Sequence, residues 1–106
     1  MDISDWRKKI DDLDRKLVGL LNERAHAAVE IGRLKRNTDL PIYEPERERE
    51  VIANAQRVNQ GPLAARDLAG IFERIMDVMR GIQKHEIAPD SVPAPHETEI
   101  DSQYED

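Results

Sequence analysis

The feature that most constrains the fold is a single apolar stripe in the first third of the chain. Counted in steps of three and four residues from Trp6, eight of nine positions are apolar and the ninth is Arg24. The positions are Trp6, Ile10, Leu13, Leu17, Leu20, Arg24, Ala27, Ile31 and Leu34. This spacing places the side chains on one face of an α-helix. Because no proline interrupts the stretch, we predict one helix that begins after Ser4 as its N-cap and ends near Arg36.

Two shorter helices are predicted in the rest of the chain. One starts at Pro45, whose ring suits a first helical turn, and ends near Gly61. The other runs from about residue 63 to residue 85. Apolar residues at helical spacing define one face of each helix: Val51, Ile52, Ala55 and Val58 in the second, and Leu68, Ile71, Phe72, Ile75, Met79 and Ile82 in the third.

The unequal helix lengths predict a dimer. A helix of about 33 residues is roughly 50 Å long, whereas a compact domain of this size is only about 30 Å across. The long helix would therefore extend beyond its own domain with its apolar stripe uncovered. We expect an all-α fold of three helices per chain, one of them very long, that forms an intertwined homodimer.

Charge divides the chain into a body and a tail. Residues 87–106 hold six acidic groups, three prolines and no Lys or Arg, whereas residues 1–86 hold equal numbers of acidic and basic groups. We expect a helical domain over 1–86 and a disordered tail over 87–106. The neutral body disfavours nucleic acid as a ligand. Since there is no cysteine and no run long enough to span a bilayer, we expect a cytoplasmic protein without membrane contact.

Arg24 is the charged member of the stripe, and Lys35 follows it eleven residues later. On an ideal helix Lys35 lies about 20° around from Arg24 and about 16 Å further along the axis. Both cations therefore point the same way and could converge on a small anion. Taken alone, the pair also fits an ordinary alternative, in which Arg24 extends its head to solvent and Lys35 is a solvated helix end.

The other two helices also place polar groups on their apolar faces. Arg47 and Glu48 extend the face of the second helix, Glu44 lies one turn before Glu48, and Gln83 extends the face of the third helix. Each alone is also explained by solvent exposure. Together with Arg24 and Lys35, these polar residues predict a site for a small polyanion. Such a site needs no metal or cofactor and acts by positioning and electrostatics. The three histidines are expected at the surface: His26, His85 and His96.

Arg7 cannot reach that site within its own chain. It lies 17 residues before Arg24, about 25 Å away along the helix. In an antiparallel dimer it could enter the site of the partner chain. The alternative is that Arg7, Lys8 and Lys9 form an ordinary solvated cluster.

A family resemblance lies in WRKKIDDLDRKLVGLLNERAHAAVEIGRLK, followed by PIYEPERERE, and in IFERIM and GIQ of the third helix. These segments resemble the all-α class of chorismate mutases, and the likeness covers about residues 4–86. The resemblance implies an intertwined helical homodimer with two sites. Each would be an isomerase site that converts chorismate to prephenate, in phenylalanine and tyrosine biosynthesis, without a cofactor.

The resemblance also implies roles for four residues of the first and third helices. Arg24 resembles the arginine that binds a substrate carboxylate, and Arg7 the arginine that the other subunit contributes. Lys35 and Gln83 resemble the pair that donates hydrogen bonds to the ether oxygen of the breaking C–O bond.

Residues around the second helix resemble the rest of the family's site. Glu48 matches the carboxylate that accepts from the ring hydroxyl, and Arg47 matches a neighbouring cation. Glu44 matches a position, often Asp, whose backbone lies near that hydroxyl. One residue departs from the pattern: Met79 stands where some members have a serine, so the resemblance does not supply the corresponding carboxylate contact.

Two alternative functions remain open at this point. An isochorismate pyruvate lyase on the same scaffold would use the same carboxylate and ether contacts. A non-catalytic helical dimerisation module would need none of them. Because only the tail follows Glu86, we expect a monofunctional enzyme.

Overall fold

The computed structural model describes residues 1–88, which form three α-helices. α1 spans Ile3–Lys35, α2 spans Pro45–Val58 and α3 spans Ala65–Ile87. The predicted all-α fold with one very long helix is confirmed. Residues 89–106, most of the predicted tail, lie outside the described residues, so the disorder of that tail stays a prediction.

The start of α1 differs from the prediction. Its N-cap is Asp2, whereas Ser4 lies inside the first turn. The Asp2 carboxylate accepts a hydrogen bond from the backbone N–H of Asp5 at 3.0 Å, and the Asp5 carboxylate accepts one from the backbone N–H of Asp2 at 3.1 Å. Two carboxylates at the positive end of a helix satisfy two free N–H groups and stabilise the helix dipole, which one serine hydroxyl cannot do.

The end of α1 lies where the sequence predicts it. Asn37 adopts the left-handed conformation, with a φ of 66°, which asparagine tolerates better than most residues. Thr38 donates to the Lys35 carbonyl from its backbone N–H at 3.0 Å and from its hydroxyl at 2.6 Å. These contacts end the helix and turn the chain back towards Pro41, whose carbonyl contacts the Lys35 side chain.

Helix α3 joins the other two helices. It packs against both α1 and α2, whereas α1 and α2 do not pack on each other. At Gly32 the backbones of α1 and α3 come very close, because a Cβ atom built there would lie 2.9 Å from the Glu86 Cβ and 3.1 Å from the Gln83 Cα. Any side chain at this position would push the helices apart. The arrangement leaves a space between α1 and α2, with α3 at its base.

The C-terminal ends of α1 and α3 are also joined by charged groups. The Arg36 guanidinium donates to the backbone carbonyl of Glu86 at 2.9 Å, and Arg33 donates to the Glu86 carboxylate at 3.1 Å. That carbonyl belongs to the last turn of α3, where no helical N–H can reach it. The contacts hold the end of α3 on α1 one turn beyond Gln83.

A single chain has a very small core. Among the described apolar residues only Ala28, Met76 and Met79 are buried, and no large side chain is fully buried. The radius of gyration is 16.5 Å and the longest dimension is 54 Å, whereas a compact domain of this length has a radius near 12 Å. The chain is therefore elongated, as the length of α1 predicts.

The α1 stripe is uncovered in its C-terminal half, where Ile31 and Leu34 are 43% and 76% exposed. The same holds for its N-terminal half. Its five members are between 50% and 62% exposed: Trp6, Ile10, Leu13, Leu17 and Leu20. A continuous apolar surface of this kind is typical of a protein interface. Within residues 1–88 no helix combines the length and the hydropathy needed to cross a membrane.

Candidate active site

A cavity of about 350 Å³ opens between α1 and α2, above α3. Its polar lining includes six of the seven residues that the sequence analysis selected: Arg24, Lys35, Glu44, Arg47, Glu48 and Gln83. Its apolar lining comes from all three helices and the loop before α2: Ala27, Ala28, Ile31, Ile42, Val51, Met76 and Met79. The volume is in the range of pockets that hold small molecules. The seventh selected residue, Arg7, does not line this cavity.

Lys35 is the buried charged residue of the described chain, with 7% of its surface exposed. Its ammonium group donates to the Pro41 carbonyl at 2.7 Å and to the Gln83 side-chain oxygen at 3.0 Å, and it lies 3.7 Å from the Glu44 carboxylate. These oxygens compensate for the hydration that burial removes. Two of the three N–H groups are in hydrogen bonds, so one remains for a ligand.

Gln83 lies beside Lys35 because α1 and α3 meet at Gly32. Lys35 follows Gly32 by three residues in α1, and the Gln83 backbone faces Gly32 from α3. The Gln83 oxygen accepts from Lys35, so the amide nitrogen is left as the donor of this side chain. The pair thus offers one charged and one neutral N–H donor side by side.

Arg24 and Arg47 add positive charge to the cavity walls. Arg24 is half-buried and makes no ion pair within residues 1–88. Arg47 is exposed and pairs with Glu50, also exposed, one turn further along α2. Because exposed ion pairs contribute little free energy, the Arg47 guanidinium can turn to a ligand at small cost.

Arg80 is a further cation in the cavity, and the sequence patterns did not select it. Its guanidinium is paired with Glu48, donates to Asp77 at 3.2 Å, and lies 5.4 Å from the centroid of the Tyr43 ring. The hydrogen bond to Glu48 raises the pKa of the Arg80 guanidinium above its usual value. The sequence contained one signal that could have identified Arg80. It stands three residues before Gln83, and this spacing places both side chains on the same side of α3.

Arg7 and the histidines lie away from the cavity. Arg7 is exposed near the start of α1. His26 and His85 are exposed, as predicted, and His96 lies outside the described residues. Within residues 1–88 no group of three or more His, Asp or Glu residues is placed to hold a metal ion.

The charges around the cavity suit a small dianion. Four cations and two carboxylates line it, which leaves a net charge of +2, and no lining residue carries a hydroxyl or thiol nucleophile. Such a site acts by holding its ligand and by stabilising charge that develops on it. Fold and cavity together define an all-helical protein with a cation-rich pocket suited to a small anionic metabolite.

Comparison with known proteins identifies the family. Residues 6–84 match the chorismate mutase type II family, and the chain belongs to that family. The bifunctional chorismate mutase/prephenate dehydratase of Aquifex aeolicus is 36% identical over 87 residues, which cover 78% of this chain and 24% of that protein. The chain spans only 20 to 24% of the length of three such bifunctional relatives.

Two relatives are of similar size to this chain. The chorismate mutase of Methanocaldococcus jannaschii is 26% identical over 83 residues, which cover 77% of this chain and 84% of that protein. The crystal structure of the Helicobacter pylori chorismate mutase in complex with prephenate superimposes with a TM-score of 0.74 and 26% identity. That match covers 85% of this chain and 97% of the H. pylori chain.

Proposed function

We propose that this chain is a chorismate mutase that converts chorismate to prephenate in phenylalanine and tyrosine biosynthesis. The observation that carries the proposal is the Lys35–Gln83 pair, which offers two N–H donors inside a cavity lined by cations. The H. pylori chorismate mutase, whose structure contains prephenate, supports the choice of product.

Arg24 and Arg47 hold the substrate in its reactive shape. Chorismate carries two carboxylates, one on the ring and one on a flexible enolpyruvyl arm. Arginine binds a carboxylate through two parallel hydrogen bonds, which fix its orientation as well as its position. Holding the arm over the ring removes much of the entropy that the free molecule loses before it rearranges.

Lys35 and Gln83 stabilise the transition state. The ether oxygen gains negative charge as its C–O bond breaks, so a donor aimed at it binds the transition state more tightly than the substrate. The remaining N–H of Lys35 and the amide N–H of Gln83 are the two donors in this role. The low exposure of Lys35 strengthens the effect, because little water screens the charge.

Glu48 and Glu44 recognise the ring hydroxyl. Glu48 accepts its hydrogen bond, with the carboxylate oxygen that is not paired with Arg80. Glu44, at the start of α2, places its backbone near the same hydroxyl, while its carboxylate lies 3.7 Å from the Lys35 ammonium group. The two residues fix which face of the ring meets the arm.

The active form is an intertwined homodimer. The uncovered stripe of α1, from Trp6 to Leu20, would be buried when two α1 helices pair in antiparallel order. Arg7 of one chain would then reach the cavity of the other and bind a substrate carboxylate there. The cytoplasmic location and the single activity expected from the sequence stay predictions.

Incubation of the purified chain with chorismate and, in parallel, with isochorismate tests the proposed function. We expect prephenate from chorismate, detected as phenylpyruvate after acid treatment. Formation of salicylate and pyruvate from isochorismate would instead establish the lyase. If neither substrate is consumed by a folded dimer, the chain is a dimerisation module and the proposal is wrong.

A further inference from the structure

We propose that Arg80 is a positioning residue of this site, which fixes the Glu48 carboxylate and the first turns of α2 on α3. The inference rests on the proposed function, in which Glu48 accepts a hydrogen bond from the substrate hydroxyl. Neither the sequence patterns nor the family resemblance assigns a role to position 80.

Arg80 contacts three separate parts of the chain. Its guanidinium pairs with Glu48 of α2, donates to Asp77 of its own helix at 3.2 Å, and lies over the ring of Tyr43 in the loop before α2. The planar guanidinium has five N–H donors in a rigid fork, so one group can hold all three partners at once. The three contacts therefore fix the orientation of the Arg80 guanidinium, whereas an exposed cation with one partner can rotate.

The Arg80–Glu48 pair is shielded compared with the other ion pair of α2. Its side chains are 29% and 22% exposed, whereas those of Arg47 and Glu50 are 58% and 61% exposed. Shielded pairs with additional hydrogen bonds contribute more free energy than exposed ones. We therefore expect Arg80 to hold Glu48 in the substrate-free protein, while Arg47 stays adjustable.

Helix α2 is held on one side only, where half-buried residues such as Val51 and Ile52 face the rest of the chain. None of its residues is buried, and it packs on α3 but not on α1. A small rotation of α2 would move Glu48 out of reach of a ligand hydroxyl and alter the width of the cavity. Arg80 joins α2 to α3 on the side that lines the cavity.

Arg80 also offsets the negative charge of the Glu48 carboxylate. A free carboxylate beside a substrate with two negative charges would repel it. With one carboxylate oxygen paired to Arg80, the other is free to accept from a hydroxyl while the net charge at that point is near zero. Arg80 thus acts on substrate binding through Glu48, without touching the atoms that react.

The test compares Arg80→Met with a matched control on the same helix. Arg74 is also an arginine of α3 and also pairs with Asp77, at 2.7 Å, but it is 57% exposed and does not line the cavity. We expect Arg80→Met to raise the KM for chorismate about tenfold or more, the scale of one lost charged hydrogen bond. We expect the kcat of Arg80→Met to change by less than about threefold. Arg80→Lys should recover part of the affinity because it keeps the charge. Arg74→Met should leave both KM and kcat unchanged.

A double-mutant cycle with Glu48→Gln separates the proposed role from the alternatives. In the Glu48→Gln background we expect Arg80→Met to have no further effect on KM, because the carboxylate that Arg80 fixes is gone. If Arg80→Met raises KM equally in the wild-type and Glu48→Gln backgrounds, Arg80 binds the substrate directly. If Arg80→Met leaves KM unchanged in the wild-type background, Arg80 has no role in binding. Either result overturns the inference. If Arg80→Met does not fold, as judged by its thermal unfolding curve, Arg80→Lys takes its place in the cycle. Absence of turnover in the wild-type protein would contradict the proposed function instead.

Discussion

The two halves of α1 have the same apolar spacing but different surroundings. From Trp6 to Leu20 every stripe residue is at least half exposed. The three buried residues of α1, namely Ala28, Gly32 and Lys35, all lie in the C-terminal half, which α3 covers. Each follows a stripe residue by one position, and the stripe itself stays exposed there too, with Ile31 at 43% and Leu34 at 76%. Periodicity therefore predicts which face of α1 is apolar, but α3 packs on the positions beside that face and leaves the stripe itself exposed in both halves.

Helix length explains why the uncovered half lacks a partner in its own chain. α3 has 23 residues and α1 has 33, so α3 is about 15 Å shorter. Arg24 stands near the point where the covered half begins, and the cavity opens there. An apolar residue at this position would continue the stripe, so the charge of Arg24 fits the proposed substrate site better than a packing role.

The largest expected effect concerns Lys35, in the covered half. Lys35→Met removes the ammonium donor but fills the buried space with a side chain of similar length. We expect kcat to fall about 100- to 1,000-fold, the scale measured for loss of one donor in a preorganised site. The matched control is Lys16→Met, an exposed lysine in the uncovered half of α1, which should leave kcat unchanged. If the kcat of Lys35→Met lies within about threefold of the wild-type value, Lys35 is not a donor in the mechanism.

Arg24→Leu tests the boundary between the two halves. The change makes the stripe continuous, and we expect kcat/KM to fall about 100-fold because a carboxylate loses its bidentate partner. The midpoint of thermal unfolding should stay the same or rise, since an apolar residue replaces a half-buried charge. An Arg24→Leu variant that keeps full activity would exclude Arg24 from the site.

Leu17→Glu tests the uncovered half. A carboxylate in the middle of the stripe would be buried in the proposed dimer, so we expect dissociation to monomers and a loss of about 2 to 3 kcal/mol of stability. Sedimentation velocity measures the first effect and urea unfolding the second. Lys16→Glu, which introduces the same group one residue away and off the stripe, is the control. A Leu17→Glu protein that stays dimeric would show that the stripe is not the interface.

Two glycine variants, one in each half of α1, are expected to change the stability in opposite directions. At Gly32 an added Cβ would meet the backbone of Gln83 at 3.1 Å, whereas at Gly19 nothing lies within 4 Å. We expect Gly32→Ala to destabilise the protein by about 1 to 2 kcal/mol and to lower kcat, because it moves Gln83 away from Lys35. Gly19→Ala should stabilise it by about 0.5 to 1 kcal/mol and leave kcat unchanged. Urea unfolding of both variants checks the signs, and equal effects would contradict the close approach of α1 and α3.

Local signals in the sequence were sufficient for most of the fold. The 3.6-residue period, Pro45 and the break after Lys35 predict the three helices, because each signal acts within a few residues of the feature that it sets. The N-cap was wrong because Ser4 and Asp2 are both good caps, and the choice depended on a second carboxylate at Asp5.

The candidate site was only partly predictable. Arg24 and Gln83 stood out because they interrupt or extend apolar stripes, and the structure places both at the cavity. Arg80 did not stand out, since its partners Glu48 and Tyr43 lie more than 30 residues away in the sequence and only the packing of α2 on α3 brings them together. Whether Arg7 belongs to the site depends on the second chain.

The most direct test of the central claim, a site completed by two chains, is complementation between two inactive variants. Arg7→Ala and Arg24→Leu chains are co-expressed, so that mixed dimers form alongside the two pure ones. If Arg7 serves the cavity of the partner, one of the two sites in each mixed dimer carries neither substitution, and about a quarter of the wild-type turnover should return. Turnover no greater than that of the separate variants would contradict the shared site, since it would mean that both arginines act within one chain or that Arg7 has no part in the reaction.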